Sequence, residues 1–323
     1  MPNTVTWLTQ SVYKNGLIPT LNYIKNGLQL RYVRNIKKES FIKKRIHGVP
    51  MYLDVHDPGV SRTLAVKGTR EQDQVFIVRR ELKAGMVVLD IGANIGSYAL
   101  LEASIVGAQG TIYALEPSPQ NFALLQKNIA LNQLENIISP YQLGAANQTG
   151  VGKFYIHAAS NLHTFHPQKY REFANTSDNY KETIDVEIVN VGEFLKDKKP
   201  IDFIRMDIEG FEVEVLEGLM DSIRNNTISP KILFEVHRPK YDDVHHNMRA
   251  QLEQLFSLGY KVKTLISSDE SLSLFHERGY KPEKVIRTDG VKRGIYNDLT
   301  NEDASEYICD IGFVRAALLA RAS

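Results

Sequence analysis

Residues 87–96 read Val-Val-Leu-Asp-Ile-Gly-Ala-Asn-Ile-Gly, and few folds accommodate such a run. An apolar stretch rich in Val and Ile ends in a carboxylate, Asp90. Gly92 and Gly96 bracket a tight turn, and Ser97-Tyr98-Ala99-Leu100-Leu101 opens a helix. A strand covered on both faces has this continuous apolar look, as strands of parallel sheets do. Gly92 lets the backbone turn sharply and approach a ligand, and Gly96 lets the helix pack close to the strand. The helix N-terminus adds free N–H groups and a partial positive charge.

The dinucleotide fingerprint G-x-G-x-x-G is built to hold a pyrophosphate. Here Asp90 stands in place of the first glycine and the glycines read G-x-x-x-G. A carboxylate at the strand tip repels a pyrophosphate and suits a ligand bearing an ammonium group. S-adenosylmethionine (SAM) has an amino-acid end and a sulfonium, and no phosphate. Strand, carboxylate and glycines together point to SAM, with Asp90 orienting its methionyl end. The plainer alternative is an ordinary strand-to-helix turn with a capping Asp.

Beyond the loop, strand and helix alternate. A helix over 97–106 stops at Gly107, and a strand over 111–115 carries Glu116 at its tip. Ser118 and Pro119 then open a helix that turns Phe122, Leu125 and Ile129 inward. A strand over 137–143 leads to Gly144-Ala145-Ala146, and further strands are expected at 151–157 and 183–189. The polar, aromatic stretch 159–180 between those two is too long for an ordinary connection. It reads as a lid, a substrate loop or a disordered insertion. The pattern resumes with a strand over 201–206 ending at Asp207 and a helix over 210–223. A strand over 231–236 ends at His237, and a helix over 241–258, a strand over 260–265 and a last strand at 312–319 follow. Upstream, 41–56 predicts a hairpin and 71–83 a helix.

Such alternation predicts a parallel sheet with helices on both faces. Ligands of such sheets bind beyond the carboxyl ends of the strands. Asp90, Glu116, Asp207 and His237 all fall at such ends.

The 323 residues are 43% hydrophobic and 24% charged, the balance of a soluble globular protein. A single cysteine, Cys309, excludes intrachain disulfides and Cys-cluster zinc sites and fits a reducing, cytoplasmic setting. No apolar run reaches the roughly 18–20 residues of a membrane span, and Met1–Thr9 lacks a signal-peptide pattern. Charge is uneven. Residues 1–46 hold nine basic residues against Glu39 alone, so they carry +8, and the chain total of +1 leaves −7 for the rest. Within that arm Leu17, Leu21, Ile24, Leu28 and Tyr32 recur at helical spacing among basic residues. This basic amphipathic helix either packs on the protein's own body or a second subunit, or lies on a membrane surface. No nucleic-acid module is present, so no nucleic-acid partner is expected. The expected organisation is a basic extension over 1–46, a SAM-binding domain over 47–265 and a C-terminal extension over 266–323 that completes the sheet.

Four blocks carry a resemblance to a known family: Asp90 to Gly96, Glu116-Pro117, Arg205-Met206-Asp207-Ile208-Glu209-Gly210-Phe211-Glu212, and Phe234-Glu235-Val236-His237. Over about His47 to His237 the chain resembles the FkbM family of SAM-dependent methyltransferases. The resemblance implies the Rossmann-like class I methyltransferase fold: an α/β, mostly parallel, seven-stranded, doubly wound sheet, here with an N-terminal helical and hairpin extension. It implies SAM as cofactor and methyl transfer to a hydroxyl of a sugar, glycan or polyketide-like metabolite. Such proteins usually carry Lys where this chain has Arg205; the charge is kept, so the change reads as minor.

On this reading Asp90, Gly92, Ala93, Asn94 and Gly96 form the cofactor loop. Glu116, followed by Pro117, accepts both ribose hydroxyls, or else only favours the next helix start. Ala145 in the turn 143–146 is a candidate adenine contact. Asp207 is placed nearest the methyl group, with Glu209 and His237 as catalytic neighbours. The intrinsic pKa of His237 suits a general base; alternatively it only satisfies local backbone. Asp207 with Glu235 or His237 could also hold a divalent cation. Asp242, Asp243, His245 and His246 read as a solvated helix start rather than a second metal cluster, and His157, His163 and His166 flank the insertion. Two rival functions stand beside methyl transfer: a nicotinamide-dependent oxidoreductase and a catalytically silent SAM-fold scaffold.

Overall fold

All five residues of the strand at Val87–Ile91 are buried, as a strand covered on both faces requires. The computed structural model describes residues 16–166, 180–242, 244–270 and 274–321. Most of the 159–180 insertion, Asp243 and the first residues of the basic arm lie outside these.

The N-terminal section comprises α1 (Leu17–Tyr32), β1 (Phe41–Ile46), β2 (Val49–Asp54), α2 (Val60–Lys67) and α3 (Gln72–Glu81). The nucleotide-fold core follows: β3 (Val87–Ile91), α4 (Ser97–Val106), β4 (Thr111–Leu115), α5 (Pro119–Leu131) and β5 (Ile138–Tyr141). Next come β6 (Gly144–Ala146), β7 (Gly150–His157), β8 (Tyr180–Asn190) and α6 (Val191–Leu195). The second half holds β9 (Phe203–Met206), α7 (Glu212–Arg224), β10 (Lys231–Glu235), α8 (Met248–Ser257) and β11 (Tyr260–Ser267). The chain closes with β12 (Lys284–Thr288), β13 (Val291–Asn297), α9 (Asn301–Glu306) and β14 (Val314–Arg321).

The main sheet has nine strands in the order β12-β13-β11-β14-β10-β9-β3-β4-β5. The strands from β10 to β5 pair parallel, while β14, β11, β13 and β12 add antiparallel pairs. This is the expected Rossmann-like methyltransferase fold, with the count corrected from seven strands to nine and a larger antiparallel part. The two additional strands form the β12–β13 hairpin, turned by Asp289 and Gly290, both at positive φ (53° and 93°). An Asp-Gly pair favours such a turn because its twist matches that of the strands it joins.

Two apolar clusters cover the two faces of the sheet. Val88 and Ile112 belong to one, and Leu89, Ile91 and Leu115 to the other. A separate three-stranded sheet, β6-β8-β7, stands at one side. The strand expected over 137–143 is therefore β5 alone, and Gly144–Ala146 pairs elsewhere. The helix expected over 241–258 begins only at Met248. Asp242 Oδ1 accepts backbone N–H bonds from Val244 (2.9 Å), His245 (2.6 Å) and His246 (3.1 Å), which holds those residues in a turn. Asn247 then caps α8.

α1 packs on α2 through a face that includes Thr20 and Leu30, not through the face picked out by its apolar spacing. Leu17, Leu21, Leu28 and Tyr32 are each more than half exposed. Of that stripe only Ile24 is partly buried among the described residues. No described helix is long and apolar enough to cross a membrane.

Candidate active site

Three backbone positions build the loop after β3. Gly92, Asn94 and Gly96 all have left-handed backbone, with φ of 77°, 51° and 91°. A Cβ on Gly92 would lie 2.3 Å from the carbonyl oxygen of Asp207, so only glycine allows β9 to approach. A Cβ on Gly96 would lie 2.8 Å from Leu125, so this glycine brings the loop onto α5. The Gly92 and Ala93 N–H groups donate to Leu115 O at 2.9 and 3.0 Å, tying the loop to the tip of β4.

A cavity opens over these strand ends, the place where ligands of such sheets bind. Of the sequence-predicted residues, Gly92, Ala93, Asn94, Glu116, Pro117, Ala145, Asp207 and Glu209 line it. Asp90, Gly96, Glu235 and His237 are not part of its wall.

Glu116 is buried, and its two oxygens accept the N–H groups of Asn94 (2.8 Å) and Ser118 (2.9 Å). Burial pushes its carboxyl up to about 7, against the lowering effect of those two donors. Arg70 and Glu71, which the sequence reading did not select, also line the cavity. Glu71 has left-handed backbone and is held from afar: its N–H donates to Asp289 Oδ2 (3.0 Å), and the Gln72 N–H donates to Thr288 Oγ1 (3.0 Å). Burial alone would raise the Glu71 pKa, but Arg70 and Arg315 outweigh it and hold the carboxylate at about 2. No local pattern marks this pair, because its partners come from the far end of the chain.

Asp90 requires a correction. It is fully buried, and Arg205 Nη1 donates to it at 3.4 Å while Arg205 Nη2 reaches Asp207 at 3.0 Å. The guanidinium also lies 3.9 Å from the centre of the Tyr98 ring. Asp90 is thus tied to Arg205 behind the loop and is not part of the cavity wall. The Arg at 205 is correspondingly not a minor change from Lys: a planar fork bridges two carboxylates and stacks on a ring, which a single ammonium does not do. Beneath this pair Glu102 is fully buried with no hydrogen bond to either oxygen. Burial, reinforced by Asp90, raises its pKa well above the usual carboxylate value.

His237 is corrected as well. Its Nδ1 lies 2.8 Å from Glu212, and its Nε2 lies 3.4 Å from Glu235 and 3.5 Å from Glu209. Burial alone would lower its pKa, but Glu212 and Glu209 outweigh it and raise it to about 9. The surrounding carboxylates thus favour the protonated ring. Asp207 and Glu235 do come together, with Glu71, and Asp207 also meets Glu209 and His237; in each group one ligand atom per residue lies within 4.8 Å of the others. Arg205, Arg315 and Arg70 pair with the three carboxylates of the first group. The cavity also contains His163, whose Nδ1 accepts the His157 N–H at 3.0 Å. Burial holds it neutral, with a pKa of about 4. Its ring proton therefore sits on Nε2, so the residue offers a donor.

Residues 90–262, more than half of the chain, match the family model described as the methyltransferase FkbM domain. The chain belongs to the FkbM methyltransferase family. Curated relatives of this FkbM-family chain include Methyltransferase 1 of Beauveria bassiana, 27% identical over 42% of this chain and 58% of its own length. The hexuronic acid methyltransferase AglP of Haloferax volcanii is 25% identical over 52% and 62%. The 31-O-demethyl-FK506 methyltransferase FkbM of Streptomyces tacrolimicus is 26% identical over 44% and 62%. The match thus spans about three fifths of these relatives, 58–62% of their length. Among solved structures, the FkbM methyltransferase of Methylobacillus flagellatus KT gives a TM-score of 0.40 at 15% identity over 74% of this chain and 54% of its own. The M. jannaschii TYW2 complex with AdoMet gives 0.38 at 15% over 88% of each chain.

The family's cofactor is SAM. The lining fits it in chemical terms: Glu116 offers a carboxylate suited to hydroxyl groups, and Arg70 and Glu71 offer both charges that a zwitterionic amino acid needs. Apolar Ile91, Leu115 and Ala145 contribute to the wall.

Proposed function

We propose that this chain transfers a methyl group from SAM to a hydroxyl oxygen of a sugar, glycan or polyketide-like metabolite. One observation carries the reading: Asp207 and Glu209, at the end of the strand beside the cofactor strand, line the same cavity as Glu116 and the Arg70–Glu71 pair. The names of two relatives, a hexuronic acid methyltransferase and a 31-O-demethyl-FK506 methyltransferase, are consistent with such acceptors.

When bound, SAM would supply a methyl carbon on a sulfonium, open to in-line attack by the acceptor oxygen as the C–S bond breaks and the neutral thioether leaves. The protein's share is alignment and charge. Glu116 would hold the ribose hydroxyls, and Arg70 with Glu71 would hold the amino-acid end. Asp207 spends one oxygen on Arg205 and offers Oδ1 to the acceptor hydroxyl, whose proton it takes as the C–O bond forms. His163 Nε2–H donates to a second acceptor oxygen.

Calorimetry with SAM and with NAD in separate titrations tests the cofactor; binding of NAD and not SAM would reject it. Transfer of labelled methyl groups onto a panel of uronic-acid glycans and hydroxylated polyketides tests the reaction. SAM binding without product on any acceptor would favour the silent scaffold. For the N-terminal arm we propose contact with an anionic lipid surface, supported by the exposed apolar stripe of α1 beside exposed Lys25, Arg31, Lys37 and Lys38.

A further inference from the structure

We propose that His166, Glu214 and His246 form a divalent-cation site, best suited to Zn²⁺, on the rim of the cavity. Three distant segments meet there. His166 follows the β-bridge between Tyr155 and Thr164, Glu214 lies in the first turn of α7, and His246 lies in the turn held by Asp242. Their ligand atoms all lie within 4.8 Å of one another. His166 Nε2 is 3.2 Å from Glu214 Oε1, and His246 Nδ1 is 2.5 Å from the same oxygen. The two imidazoles converge edge to face with centroids 4.1 Å apart.

The donor set is two imidazoles and one carboxylate, a combination that binds zinc and leaves a fourth position for water. Ligand atoms about 2.1 Å from a tetrahedral ion stand roughly 3.4 Å apart, so the 3.2 Å contact already fits and the shorter one needs to open by under 1 Å. A second observation points the same way. Glu214 is only 8% exposed, and its Oε2 is buried with no hydrogen bond among the described residues. A buried carboxylate oxygen without a donor is costly, and a cation removes that cost.

The site's place gives it a role. Phe211 packs on the His166 ring at 5.0 Å and on Phe165 at 4.8 Å, and both phenylalanines line the cavity. An ion tying His166 to α7 and to the turn before α8 would fix this aromatic wall in place. The site does not depend on the assignment of SAM or of the acceptor.

The test uses the full chain, stripped with chelator and titrated calorimetrically with Zn²⁺ alone. One equivalent should bind. His166→Ala, His246→Ala and Glu214→Gln should each weaken binding by more than the roughly 10–100-fold seen when an outer-shell partner is lost. His245→Ala, beside the site, should bind as the wild type does. X-ray absorption at the zinc edge of the wild type, which needs no variant to fold, should show two imidazoles and oxygen donors. No zinc binding by the wild type would overturn the proposal. So would equal losses in His245→Ala and His246→Ala, or a spectrum with fewer than two imidazoles.

Discussion

At the scale of single residues, the site is a set of charges whose settings follow from what surrounds them. Asp90 and Arg205 are a buried pair, and removing Asp90 leaves the guanidinium with Asp207 alone. Asp90→Ala should therefore cost stability, about 1.5–3 kcal/mol, read as a lower urea midpoint; an unchanged midpoint with lost SAM affinity would restore Asp90 to direct ligand contact. Glu116 makes a second prediction. Its pKa of about 7 means that the free protein holds it largely protonated in mild acid. Ribose hydroxyls need an acceptor, so SAM affinity should fall as pH drops through 7, by about tenfold per unit once well below it. Glu116→Gln should bind weakly with little pH dependence. A wild-type affinity that is flat from pH 8 to 5 would sink the assignment. The motif residues could be located from the sequence because strand tips and glycine turns are local. Their orientations could not: whether Asp90 faces a ligand depends on Arg205, 115 positions away.

At the scale of elements, close approach is set by small residues. A Cβ on Gly218 in α7 would come within 2.4 Å of the carbonyl oxygen of Ala146 in β6. Helix propensity alone favours Gly218→Ala by up to ~1 kcal/mol, whereas overpacking costs ~1–3 kcal/mol. The clash should win, and chemical denaturation that finds the variant more stable would show that β6 yields. α1 presents its unused apolar stripe beside basic residues. The intact chain should co-sediment with vesicles containing anionic lipid, less so as salt rises, and deletion of residues 1–46 should abolish it. No sedimentation at low salt would leave the stripe to a second copy of the chain. Periodic elements such as α5 and α7 were readable, and α4 through the glycines at its two ends. The β12–β13 hairpin escaped although Asp289-Gly290 advertised it, and the start of α8 was misplaced because the Asp242 side chain captures backbone that apolar spacing assigns to a helix.

At the scale of the whole molecule, burying Glu102 couples folding to protons. Its raised pKa means that folding takes up a proton above the pH where the unfolded side chain ionises. This group's contribution to stability is fully present below the unfolded value of about 4.5 and declines as pH rises toward the folded one. Glu102→Gln should remove that decline, so its advantage in thermal midpoint over the wild type should widen from pH 5 to pH 8. Equal slopes for the two proteins would mean that Arg205 keeps Glu102 ionised. The long-range layout was the least legible level, since sheet order and the Arg70–Glu71 wall arise from segments that the chain keeps far apart. That wall has a consequence for how the protein is made. Glu71 is anchored by Asp289 and Arg315, which lie 218 and 244 positions later. At roughly 5–20 residues per second, the ribosome supplies those anchors some 10–50 s after Glu71 emerges. A nascent chain with every glycine of its loop already translated would still lack a firm grip on the cofactor, so retention of labelled SAM should appear only when the last strand has left the ribosome.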